Sequence, residues 1–134
     1  MAYYNLPNLS LRVAHFFDEC YRANFYLLAP CTTEQFQGFM LHQFRHSTDH
    51  ILTAGATTHA THEGAFSVVI ALKHFSITAA DLDSLAHECL HATQIVLDRA
   101  GVILSDNSEE AFCYLHGSIV RRCLIMLGVK EGSR

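Results

Sequence analysis

Clusters of positive charge are missing from this chain. Nine Lys and Arg stand against 13 Asp and Glu, a formal net charge of -4 with neutral histidines, and the one adjacent basic pair is Arg121-Arg122. That balance argues against a nucleic-acid partner, which binds through basic patches. Long apolar runs are missing too. None reaches the roughly 18 residues of a membrane span, so no membrane association is expected. The opening stretch MAYYNLPNLSLRV lacks the basic start, apolar run and small-residue cleavage site of a secretion signal. The five cysteines, Cys20, Cys31, Cys89, Cys113 and Cys123, form no CxxC pair. An odd number without that spacing points to free thiols in a reducing cytoplasm, not to a disulfide framework. No repeat, low-complexity tract or linker divides the 134 residues, so residues 1–134 read as one domain. Charge is scarce at 16%, against about 25% in average proteins, which leaves little room for disorder. The 50% of hydrophobic residues can fill a sizeable core.

Histidine is abundant instead, with ten in the chain. Two of them belong to the pentad His87-Glu88-Cys89-Leu90-His91, a complete HExxH. On an α-helix this spacing puts two imidazoles one turn apart on one face, with a carboxylate beside them. Two metal ligands and a water-activating base need that arrangement.

The surrounding pattern supplies a helix. Thr78 with Asp81 reads as a capping box opening a helix from about 79 to 100, which Gly101 terminates. At about 100° per residue, His87 and His91 lie within about 40° of each other, with Ser84, Gln94 and Asp98 on their side. Leu82, Leu85, Cys89, Ala92, Val96 and Ala100 form the opposite, apolar side. Cys89 lies about 160–200° from the histidines and is assigned to the core.

Elsewhere, residues 9–29 carry apolar residues three and four apart and read as a helix stopped by Pro30. Thr32 with Gln35 opens a second helix to about residue 50, carrying Phe36, Phe39, Met40 and Phe44. Residues 55–62 and 65–72 read as two strands around a Glu63-Gly64 turn. A last helix spans about 108–127 behind the caps Asp106-Asn107-Ser108. The expected fold is α+β, with four main helices around a small antiparallel hairpin or sheet.

A catalytic zinc site commonly adds a third protein ligand. Glu109 and Glu110 open the last helix about 20 residues after His91, with a turn between, and either carboxylate also suits a helix N-terminus electrostatically. Glu110 shares a face with Tyr114, Gly117 and Arg121, and Gly117 would allow close approach to the zinc helix. Glu109 points about 100° away, towards Cys113, His116 and Val120.

HECLH followed by SEEAFCYLHG resembles the gluzincin pattern: HExxH, a spacer, then a helix with Glu-Ala and a glycine seven residues after the ligand glutamate. The stretch GAFSVVIALKHF…DLDSLAHECLHATQ is also similar to small phage-encoded metallopeptidases, in which a glycine-led apolar strand precedes HExxHxxQ. The resemblance covers about residues 50–120. It implies a zincin-like active-site helix and one Zn2+ held by His87, His91 and Glu110. It further implies Glu88 as general base, a peptide or protein substrate, and the host cytoplasm for a phage-encoded chain. Tyr114 stands where larger gluzincins carry an acidic residue, and its phenol could make the corresponding hydrogen bond.

Candidates to stabilise an oxyanion are Tyr114, His59 and His62. The Thr-rich strand 55–62 could pair as an edge with an extended peptide. His42, His46 and His50 recur every four residues and form a helical stripe that is a solvated face or a second metal site. Phe16, Phe17, Phe25, Phe36, Phe39, Phe44 and Phe66 are assigned to the core, and Tyr21 to Tyr26 to a cleft wall. Two other readings stand beside the peptidase: a zinc-binding phage or host interaction protein without turnover, and a metal-free domain with an accidental pentad. Two histidines and a carboxylate would also accept iron or manganese.

Overall fold

The computed structural model describes residues 2–52, 55–62 and 64–132. Five strands are hydrogen-bonded in the order β1-β2-β3-β5-β4: β1 (Ala2–Leu6), β2 (Leu11–Asp18), β3 (Ala23–Leu28), β4 (Ala56–Thr61) and β5 (Ser67–Leu72). β3 and β5 run parallel, and the remaining neighbours are antiparallel. Three α-helices, α1 (Thr33–Phe44), α2 (Ala79–Arg99) and α3 (Glu109–Met126), and a 3-10 turn at Pro7–Leu9 complete the described elements.

The strand β5, SVVIAL, is buried at all six positions. Successive side chains of a strand point to opposite faces, so both faces of the sheet need cover. Val68, Ile70 and Leu72 pack with Phe25, Leu27, Leu85, Ala92, Val96, Ile119 and Met126 under α2 and α3. Val69 and Ala71 pack with Leu11, Val13, Leu28, Phe36, Phe39 and Met40 under α1. The result is a three-layer α+β architecture, with α1 on one face of the sheet and α2 and α3 on the other.

This corrects the expectation of four helices around a small hairpin. Residues 9–29 contain no α-helix: after a 3-10 turn that ends at Leu9 they form β2 and β3, joined by a turn at Glu19–Arg22. The cause is the double burial. Leu11 and Val13 face α1, while Ala14 and Phe16 face α2 and α3. A strand apolar on both sides shows no clean alternation and can imitate helical spacing. The turn is closed by Asp18 Oδ2, which accepts from the Tyr21 N–H at 2.8 Å, and by Arg22 in a left-handed conformation, φ 53°.

The strands expected at 55–62 and 65–72 form an antiparallel hairpin, but as one margin of the larger sheet, with β4 outermost. Glu63 of the expected turn lies outside the described residues, and Gly64 has φ +77°, a value that favours glycine.

Local chemistry sets the helix limits. Thr32 Oγ1 accepts from the Gln35 N–H while Gln35 Oε1 accepts from the Thr32 N–H, a complete capping box. The Gln35 side-chain amide also donates to the carbonyls of Leu9 and Ser10, tying α1 to the β1–β2 turn. α1 ends at Phe44, six residues short of expectation, because Arg45 turns left-handed and its N–H caps the Met40 and Leu41 carbonyls. Thr78 caps α2 by accepting from the Asp81 N–H, but the Asp81 carboxylate turns to the N–H and hydroxyl of Ser76. α3 is tethered to β2 where Arg122 lies 3.8 Å from Asp18 and over the Phe16 ring.

Phe25 joins the layers: it is 1% exposed, stacks on Phe16 with ring centroids 4.8 Å apart, and pairs across the ladder with Val68. Phe25→Ala should therefore lower unfolding free energy by about 3–5 kcal/mol, measured by urea denaturation with an unchanged m-value. A loss below about 1 kcal/mol would show that this layer is not the core.

Candidate metal centre

α2 buries one stripe and shows the other. Leu85, Cys89, Ala92, Val96 and Leu97 enter the core, and His87 and His91 lie on the solvent side. Cys89 is fully buried, as the helical pattern required. It hydrogen-bonds Cys123 of α3, and that bond, followed by burial, pushes the Cys123 thiol well above its ordinary range. This pair is packing, not a thiolate ligand.

The Nε2 atoms of His87 and His91 are 3.1 Å apart, with ring centroids at 4.8 Å and planes inclined by 77°. A metal held about 2.0–2.1 Å from each nitrogen would see them at an angle of about 100°. That suits two neighbouring positions of a tetrahedral or octahedral ion. Donor atoms of His87, Glu88 and His91 all lie within 4.8 Å of one another, and among the described residues this is the one such group of His, Cys, Asp and Glu. The donor set therefore fits a divalent ion of intermediate softness.

Glu88 occupies the seam between α2 and the sheet, 8% exposed. Its carboxylate Oε2 lies 2.7 Å from the hydroxyl of Thr58 on β4, which is also 3.0 Å from the Glu88 carbonyl oxygen. One hydroxyl proton serves these two acceptors, and both distances bind the outermost strand to the centre of the pentad. Sequence reading missed Thr58. The period of two along β4 places it on the α2 face once the strand is positioned, but its partner lies 30 residues away.

The other expected residues are dispersed. Glu110 and Tyr114 stand on an exposed row of α3 with Cys113 and Gly117, and Tyr114 is 75% exposed. Neither Glu109 nor Glu110 belongs to the converged group. A Cβ added to Gly117 would meet nothing within 4 Å, so this glycine does not mark a close helix approach. Instead His116 reaches α2, with Nε2 3.1 Å from the Ala86 carbonyl. The start of α3 does lie beside α2: Phe112 lines a groove with Gln94, Ile95 and Asp98, a turn beyond His91.

His59 packs with Phe36 and His50 on the α1 face of β4, the face opposite Thr58, so the sheet separates it from the pentad. His62 is exposed beside Phe66, ring centroids 5.1 Å apart. His42 is on α1, whereas His46 and His50 lie beyond its end, so the three make no helical stripe. Of the phenylalanines assigned to the core, Phe17 alone is exposed. Tyr21 borders a groove with Phe66 and Arg99, while Tyr26 packs on the α1 side.

No helix among the described residues is long and apolar enough to cross a membrane. No known family model, curated protein or solved structure matches the chain.

Thr58→Val keeps the shape of the side chain and removes the hydroxyl facing a buried carboxylate. It should cost about 1–3 kcal/mol of stability, read by thermal or urea unfolding. An unchanged midpoint would mean that the Thr58–Glu88 bond is not formed in solution.

Proposed function

We propose that this protein is a zinc-dependent peptidase of the gluzincin type, with His87 and His91 as metal ligands and Glu88 as general base. The observation that carries this reading is the convergence of the two Nε2 atoms at 3.1 Å with the Glu88 carboxylate within 4.8 Å of them. The helix brings residues four apart together by itself, and the 3.1 Å contact also serves as an Nε2–H···Nε2 hydrogen bond between the rings; the Glu88 carboxylate beside them is what adds a base to the pair.

Zinc, when bound there, supplies Lewis acidity to a water and to a scissile carbonyl. The chain supplies the proton traffic. Glu88 takes a proton from the attacking water and hands it to the leaving amine. Thr58 fixes which Glu88 oxygen is engaged by the sheet and leaves the other for that exchange. Glu110 is the proposed third ligand. Its support is its place in the first turn of α3, beside the half of α2 that follows His91. β4, outermost in the sheet, offers its free edge to an extended peptide, and such a peptide would run alongside the seam that holds Glu88.

A second reading, a zinc-binding interaction protein without turnover, draws on the exposure of both histidines and on Glu110 standing outside the converged group.

Metal content by elemental mass spectrometry, on tag-free protein purified without chelator, tests the site. His87→Ala should remove about one zinc per chain, and Glu110→Ala should weaken its retention. Loss in neither variant would dismiss the metal centre. Turnover of a mixed-sequence fluorogenic peptide library then separates the two readings. Glu88→Gln should retain zinc and reduce hydrolysis about 10²–10⁴-fold. Zinc binding with no hydrolysis by the wild type, or hydrolysis that survives Glu88→Gln, would leave the interaction protein or a different base.

A further inference from the structure

The second gathering of imidazoles lies on the opposite face of β4. The ring centroid of His59 is 5.7 Å from that of His46 and 6.4 Å from that of His50. Buried Phe36 forms the floor, meeting His50 and His59 edge-to-face at 5.8 and 6.1 Å. The three histidines come from two separate segments. His59 belongs to β4, whereas His46 and His50 belong to the loop that the left-handed Arg45 turns away from α1. His50 is exposed and the other two are half-buried, so the group is open to ions from solvent.

We propose that His46, His50 and His59 form a second site for a divalent transition ion, zinc in the first instance, which fastens the loop after α1 to the outermost strand. Imidazole suits zinc, copper and nickel, and carries no preference for calcium or magnesium. Three imidazoles around one tetrahedral ion have ring centroids about 5 Å apart. The separations from His59 exceed that by about 0.7 and 1.4 Å, and the three donor atoms are not yet as close together as those of the pentad, so metal binding would draw the loop residues His46 and His50 in towards His59 on β4.

Two further features suit a ligand role. His50 Nε2 lies 2.8 Å from the Thr57 hydroxyl. With Nε2–H donating to that oxygen, Nδ1 is left as the ligand atom, the arrangement that orients metal-bound imidazoles. Burial, and then the neighbouring His46 and His50, lower the His59 pKa below its usual value.

This site is independent of the pentad, and its test removes the pentad first. In a His87→Ala/His91→Ala background, tag-free protein is dialysed to equilibrium against micromolar Zn2+ and its metal content measured. The background should retain about one zinc per chain and gain thermal stability on zinc addition. Adding His59→Asn or His50→Asn should weaken retention at least about tenfold and abolish the thermal shift. His50 is an exposed loop residue, so its variant reports even where His59→Asn disturbs β4. A background that retains no zinc, or zinc retention undiminished by His50→Asn, would overturn the proposal.

Discussion

The burial of β5 on both faces governs the rest of this molecule. Six consecutive apolar or small residues cannot be hidden by one helix layer, because alternate side chains leave the sheet in opposite directions. α1 must therefore cover Val69 and Ala71 while α2 and α3 cover Val68, Ile70 and Leu72. β4, paired to β5 along six residues, inherits this division. A slip of one residue in that pairing would exchange its faces, sending Thr58 towards α1 and His59 towards Glu88.

The division gives two neighbouring residues separate chemical surroundings. Thr58 enters the seam beside the pentad, and His59 joins His46 and His50 above Phe36. A strand only one residue thick thus separates two groups of nitrogen donors. The same logic shapes α2. Its apolar stripe is consumed by the core, which leaves His87 and His91 facing outward and Glu88 at the boundary, where a carboxylate can be both oriented by the sheet and close to the imidazoles.

Much of the α2 region was legible in the sequence. The Thr78 cap, the termination at Gly101, the burial of Cys89 and the shared side of His87 and His91 all follow from a period of 3.6, a property of one helix that depends on no distant residue. The capping box at Thr32 and Gln35 was legible for the same reason. Residues 9–29 were not, since apolar residues that serve two opposing cores blur the period of two. The end of α1 was also hidden: a non-glycine residue at positive φ gives little signal, and the apparent histidine stripe ran on past it.

The chain alone determined which residues could bind a metal together, because HExxH needs only a helix to become a pair of adjacent imidazoles. Tertiary structure decided the company they keep. Thr58 meets Glu88, His59 is carried to the far face, and Glu110 and Tyr114 remain on the exposed row of α3. Those outcomes depend on strand order, on which faces are covered and on how two helices cross. Contacts between residues tens of positions apart fix these features, and no local period encodes them.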